Sequence, residues 1–234
     1  MKQIPLDIGP PPQPRFENFL AGPNAQALAH LGQLIPPSPP VFLWGPAGSG
    51  KTHLLRALAT RLQDAGEQLG WFEPGAALPW ALAPGWALVV FDRCESLDEA
   101  EQHAAFALFV EAAAAGVQVA AAARLPPVDL PLRDDLRTRL AWGHVFAMQP
   151  LADAEARAVL RREADRRGLY FSDEVMQQLL TRFPRDLGHL MNLLDRLDHY
   201  GLAHSRRITV PMLRQMLSDE LASDAVSPVA VSAA

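Results

Sequence analysis

At 234 residues, with 49% apolar and 20% charged residues, the chain is long enough for one or two domains with a real core and too apolar to be disordered. A net charge of −5 argues against a broad nucleic-acid-binding surface, so no direct sequence-specific DNA binding is expected beyond what a local basic patch could give. The single cysteine, Cys94, excludes an internal disulfide and a multi-Cys zinc site, and no apolar run reaches the ~18 residues of a membrane span.

The first fourteen residues, MKQIPLDIGPPPQP, hold too many prolines to belong to a core and are expected to form an extended tail. It is polar and lacks an apolar signal-peptide core, so the cytoplasm is the expected address. Within it, Gln3 precedes Ile4, Leu6 and Ile8, whose alternation suits an extended peptide laid along a groove. On the residues alone this stretch is either accidental or a docking peptide. Phe16 to Asn24 then leads into an Ala/Leu helix over about 25–34, and Ile35 to Pro40 delivers the chain into a short apolar strand, Val41 to Trp44.

Directly after that strand comes Gly45-Pro46-Ala47-Gly48-Ser49-Gly50-Lys51-Thr52, a complete G-x-x-x-x-G-K-[ST] phosphate loop. Its glycines can take backbone angles that bring main-chain N–H groups around a polyphosphate. Lys51 supplies a compact positive charge toward the phosphates, and Thr52 offers a hydroxyl to Mg²⁺. Leu54, Leu55, Leu58 and Leu62 recur at helical spacing behind it, so the loop opens a helix whose dipole also favours anions.

Gln68 to Glu73 reads as a second strand, and 74–85 as a loop with weak signals. Trp86 to Phe91 is the strongest buried-strand run and ends at Asp92, the position at a strand's carboxyl end where Mg²⁺ or its water shell is held. Arg93 follows where a second acid often polarises the attacking water, and Glu95 is a partial stand-in. Cys94 reads as a buried packing residue. A helix from Leu97 to Ala115, a strand from Val117 to Ala122 and a charged helix from Leu132 to Leu140 come next. Solvated charge accounts for at least two of Arg133, Arg137 and Arg139. A last strand spans His144 to Met148.

Beyond Gln149-Pro150 the pattern is helical throughout: 153–168, 172–183, 185–200 and 209–220, with Ser172, Asp173 and Thr209 as caps and Gly168, Gly201 and Pro211 as joints. Residues 221–234 are small and polar and are expected to be disordered.

A phosphate-loop α/β domain followed by a small helical lid resembles an AAA+ module. The lead-in Phe16-x-Asn18-Phe19-x-x-Gly22-x-Asn24 resembles a motif of the bacterial replication initiator DnaA. Leu136-Arg137-Thr138-Arg139-Leu140-Ala141-Trp142-Gly143 resembles its arginine-finger segment, and Pro184-Arg185-Asp186-Leu187 its sensor II. Neither the initiator's long N-terminal domain nor its DNA-binding helix-turn-helix domain is expected, and what remains resembles the short paralogue family Hda. That family carries a peptide for the DNA polymerase III sliding clamp (beta subunit), which Gln3, Ile4, Leu6 and Ile8 resemble. The resemblance implies an α/β fold with a central parallel sheet, divided into a clamp-binding tail (1–14), an AAA+ nucleotide-binding subdomain (15–150), a helical lid (151–220) and a terminal tail (221–234).

Carried over by position, the resemblance implies that Gly45, Pro46, Ala47, Gly48, Ser49, Gly50, Lys51, Thr52 and His53 hold ADP or ATP. Thr52 and Asp92 would serve Mg²⁺. Arg185 would reach the phosphates from the lid, Phe16 and Asn24 would lie near the adenine, and Arg139 would be a finger offered in trans to ATP on DnaA. The implied role is a clamp-tethered, replisome-associated regulator that drives DnaA to its inactive ADP form. Arg93 in place of the initiator's second acid, and Ala122-Ala123 in place of a polar sensor, imply firm binding but poor hydrolysis by this chain itself. The alternatives are a clamp-bound adaptor that sequesters the initiator without accelerating hydrolysis, or a stand-alone phosphate-loop kinase, for which no acceptor site is visible. Oligomeric state stays open, a homodimer or higher oligomer included.

Overall fold

The computed structural model describes residues 13–182, 187–204 and 208–216, and the chain divides between Leu151 and Ala152 into two compact units. The first is built on five parallel strands: β1 (Val41–Trp44), β2 (Gln68–Phe72), β3 (Trp86–Phe91), β4 (Gln118–Ala123) and β5 (His144–Ala147). Their order is β2-β3-β4-β1-β5. Side chains alternate across a strand, and that period sorts the core into two layers. Val41, Leu43, Leu88, Val90, Ala120 and Ala122 face α1 (Ala25–Gln33) and α2 (Lys51–Asp64). Phe42, Val89, Phe91, Val119, Ala121 and Ala123 pack with α3 (Glu99–Ala114) and α4 (Asp134–Ala141). The result is a helix–sheet–helix sandwich with both sheet faces covered, as a parallel sheet requires.

The alanine run of β4 has weak strand propensity, yet all six residues are buried because β3 and β1 pair with it on either side. Tertiary pairing overrides the local preference.

Two helix starts in the first unit differ from the sequence reading. The helix expected from Leu97 starts at Glu99, because Asp98 accepts from the Glu101 N–H at 2.8 Å while Glu101 returns an oxygen to the Asp98 N–H at 2.8 Å. The helix expected from Leu132 starts at Asp134, after an extended Arg133. The weak stretch 74–85 is tied down at two points. Gly75 N–H donates to Glu101 Oε1 at 2.6 Å, and Trp80 buries its ring 4.9 Å from Phe72 and 6.2 Å from Phe91, centroid to centroid.

The second unit contains α5 (Asp153–Arg166), α6 (Asp173–Arg182), α7 (Leu187–His204) and a helical stretch over 210–216. Leu160, Ala164, Val175, Met176, Leu179, Leu193, Leu194, Leu197 and Leu213 are among its buried residues. Ser172 caps α6 by accepting from the Val175 N–H at 3.3 Å, and Thr209 does the same for Met212 at 3.4 Å. Arg167 bonds Glu163 on α5 and Asp195 on α7. Hydrogen bonds from Arg166 and Arg167 hold the Glu163 carboxyl down to about 2.

Gln3, Ile4, Leu6, Ile8, Arg185 and residues 221–234 lie outside the described residues. Among the described residues no helix is long and apolar enough to cross a membrane.

Candidate functional site

The glycine loop leaves the carboxyl end of β1, the middle of the three strands β4, β1 and β5, and ends where α2 begins. Gly45, Gly48 and Gly50 have φ values of +150°, +76° and +90°. At Gly45 the need for glycine is also steric: a Cβ there would lie 2.1 Å from the Met148 carbonyl oxygen. Gly50 is the residue immediately before Lys51, so the unpaired N–H groups of the first turn of α2 open onto the loop.

Lys51 is buried, with Nζ 2.8 Å from the carbonyl oxygens of both Gly45 and Pro46 and 3.3 Å from Ser49 Oγ. Its ammonium is thus turned back over the loop. Next to it, Thr52 donates its hydroxyl to Asp92 Oδ2 at 2.8 Å. Asp92 directly follows β3 and is 3% exposed; its other oxygen accepts from the Arg93 N–H at 2.9 Å. Burial pushes the Asp92 carboxyl above its ordinary range, against the pull of Thr52 and Arg93. A buried carboxylate beside a hydroxyl, with hard oxygen donors only, suits Mg²⁺ shared with phosphate oxygens. Among the described residues there is no cluster of three or more His, Cys, Asp or Glu that could hold a metal.

Arg93 turns away from this pair. Its backbone is left-handed at φ +56°, and its guanidinium meets Glu73 at 2.9 Å. Glu95, the stand-in for a second acid, is engaged elsewhere: it accepts from the Arg124 N–H at 3.1 Å and pairs with that guanidinium at 3.4 Å. Ala122 and Ala123 are buried and bring no polar group to the end of β4. Burial raises the Cys94 thiol well above its usual value, which fits a packing role.

The lead-in segment lies over the start of α2. Phe19 packs so closely that a Cβ on Gly50 would sit 2.5 Å from its ring, and the ring is 5.4 Å from that of His53. His53 Nε2 is 3.1 Å from the Arg15 carbonyl oxygen, and Phe16 stacks beneath the Arg61 guanidinium at 5.4 Å. Fully burying an aromatic side chain is worth about 1.5–3 kcal/mol, so the half-buried Phe16 and Phe19 anchor the segment. The exposed Arg15–Asp64 pair at 2.6 Å adds little. Asn24 is buried, and both ends of its amide bond the backbone of Gln149. Sequence reasoning left Phe19 and Gln149 out of the site. Phe19 was visible inside the lead-in motif, whereas Gln149 carries no local signal.

On the opposite sheet face, α4 and the residue just before it present three arginines. Arg133 bonds Asp135 at 2.8 Å and Arg137 bonds Asp134 at 2.6 Å. Arg139 is exposed, and its side chain has no hydrogen bond or ion pair among the described residues. Trp142, just beyond it, is 72% exposed.

The family model of the Hda lid domain matches residues 153–217, and that of the bacterial DnaA ATPase domain matches residues 12–69. Domain III of DnaA from Thermotoga maritima superposes with a TM-score of 0.70 at 18% identity, covering 89% of this chain and 98% of that one. AMPPCP-bound DnaA from Aquifex aeolicus gives 0.65 at 18% identity, over 92% of this chain and 70% of that one. A RuvB structure from Thermotoga maritima gives 0.61 at 16% identity, over 88% and 72%. The DnaA and RuvB likenesses establish the AAA+ fold.

Proposed function

Because the chain is an Hda-like, DnaA-related AAA+ protein, we propose that it is a clamp-tethered regulator that promotes hydrolysis of ATP bound to the initiator DnaA. In this scheme the chain's own phosphate loop holds ADP or ATP without turning it over efficiently. Gly45, Pro46, Ala47, Gly48, Ser49, Gly50 and His53 shape the cradle, Lys51 supplies charge, and Thr52 with Asp92 receives Mg²⁺. Bound nucleotide with its cation would supply the charge that sets the loop and the interface. Phe16 and Asn24 lie on the lead-in side of the loop, and Arg185 is the proposed contact from the lid.

Arg139 carries this reading. Its neighbours Arg133 and Arg137 are neutralised by nearby aspartates, while its own guanidinium is exposed with no partner among the described residues. An arginine held that way is available to a second molecule, where it would neutralise charge developing on a γ-phosphoryl group, an effect worth roughly 10³–10⁵ in rate. The pairing of Arg93 with Glu73 and of Glu95 with Arg124 supports weak intrinsic hydrolysis, since neither side chain is left to activate water.

The tail residues Gln3, Ile4, Leu6 and Ile8 are the proposed clamp peptide. Joined to the AAA+ unit, the tail would raise the local concentration of regulator near the initiator, so that two weak contacts act as one. Removing residues 1–8 tests this: nucleotide binding should survive while co-elution with the sliding clamp is lost. Retained co-elution would exclude the tail as the docking element.

A further inference from the structure

Asn24 joins parts of the chain that lie far apart in sequence. Its side chain is 4% exposed. Oδ1 accepts from the Gln149 N–H at 2.8 Å, and Nδ2 donates back to the Gln149 carbonyl at 2.8 Å and reaches the Ser49 carbonyl at 3.4 Å. These bonds use the amide NH₂ and one of the two lone pairs of the amide oxygen. Each is directed at the chain's own backbone.

The two ends of this knot matter for different reasons. Gln149 follows β5, which is held to β1 by the Met148 N–H on the Trp44 carbonyl at 2.6 Å, and it precedes the break between the two units. Ser49 is buried in the glycine loop. A trans peptide holds its C=O and N–H antiparallel, so a donor on the Ser49 carbonyl fixes the opposite direction for the Gly50 N–H. Gly50 N–H belongs to the group of main-chain donors that a phosphate would meet at the head of α2.

We infer that Asn24 is a positioning residue for nucleotide binding: it locks the Ser49–Gly50 peptide to the backbone at Gln149, acting through the loop rather than on the base. This rests on the nucleotide-holding reading of the loop. It also makes the chain leaving β5 a sensor of loop occupancy, since a change at Ser49 is transmitted to Gln149 through one side chain.

The test is fluorescent ADP affinity of the full chain with Mg²⁺, wild type against Asn24→Asp, across pH. An ionised aspartate accepts from Gln149 N–H but faces two carbonyl oxygens with no proton, whereas a protonated one restores a donor. The ratio of variant to wild-type Kd should be about tenfold or more near pH 8 and fall toward one near pH 5.5. A ratio of one throughout, or a large ratio that ignores pH, would overturn the inference. Wild-type chain that fails to bind ADP would instead sink the nucleotide-holding reading and this inference with it. If Asn24→Asp does not fold, amide exchange in the wild type decides: ADP should slow exchange at Gln149 together with Gly50, and an unchanged Gln149 would overturn the coupling.

Discussion

Thr52 donates its hydroxyl to Asp92 across 2.8 Å, joining the first turn of α2 to the end of β3. The bond holds a carboxylate in a place that is 3% exposed and where burial raises its proton affinity. A carboxyl whose folded pKa is raised favours folding at low pH and opposes it as pH rises through that value. Asp92 therefore burdens the free protein at neutral pH. Asp92→Asn should leave Tm unchanged or raise it, because an amide still satisfies both Thr52 and the Arg93 N–H. The same variant should weaken Mg²⁺-dependent nucleotide binding by about 10–100-fold. Thermal melts and titrations with and without Mg²⁺ check both signs. A fall in Tm with unchanged binding would refute the functional assignment of Asp92.

Two glycine substitutions should have opposite signs. A Cβ on Gly45 would meet the Met148 carbonyl at 2.1 Å, against backbone that cannot rotate away, so Gly45→Ala should cost about 2 kcal/mol or more and disturb the end of β5. Gly32, inside α1, has nothing within 4 Å of its Cβ position. Gly32→Ala should stabilise by about 0.5–1 kcal/mol. Chemical denaturation of the two variants measures the contrast.

His30 gives an acid-side prediction. Its ring lies 4.3 Å from that of His144 and 5.1 Å from that of Phe146, and its Nε2 is buried with no hydrogen-bond partner. Burial, then the neighbouring His144, lowers its pKa below the ordinary 6.5, and burial lowers that of His53 as well. A histidine with a depressed folded pKa confers stability above its unfolded pKa, and that stability is lost as pH falls below it. Tm should drop between about pH 7 and about pH 5, and His30→Phe should flatten that slope. An identical slope in the variant would clear His30 of the role.

Much of this was readable in the sequence, because local patterns carried it. The run into Gly45–Thr52, the apolar strand ending at Asp92, and the change to helical spacing after Pro150 each have a period or a motif. The sequence reading also allowed solvated charge to account for at least two of Arg133, Arg137 and Arg139, and the first two bond nearby aspartates. What escaped depends on contacts with no local period. The bond between Gly75 and Glu101 that orders 74–85, the reach of Asn24 to Gln149, and the diversion of Glu95 to Arg124 all join residues 26 or more apart. The left-handed backbone of Arg93 has no compositional signal, since that conformation favours glycine or asparagine. Local rules place the phosphate loop but do not say which charged side chains near it are already paired.

Arg139 is proposed to act on ATP held by DnaA. Single-turnover hydrolysis of DnaA-bound ATP with DNA-loaded clamp decides this, comparing the wild-type chain with Arg139→Ala. The wild type should accelerate hydrolysis, and most of that should be lost in the variant, which should still fold, bind ADP and bind clamp. Equal acceleration by both proteins would contradict it, and capture of DnaA by the wild type with no acceleration would replace it with sequestration.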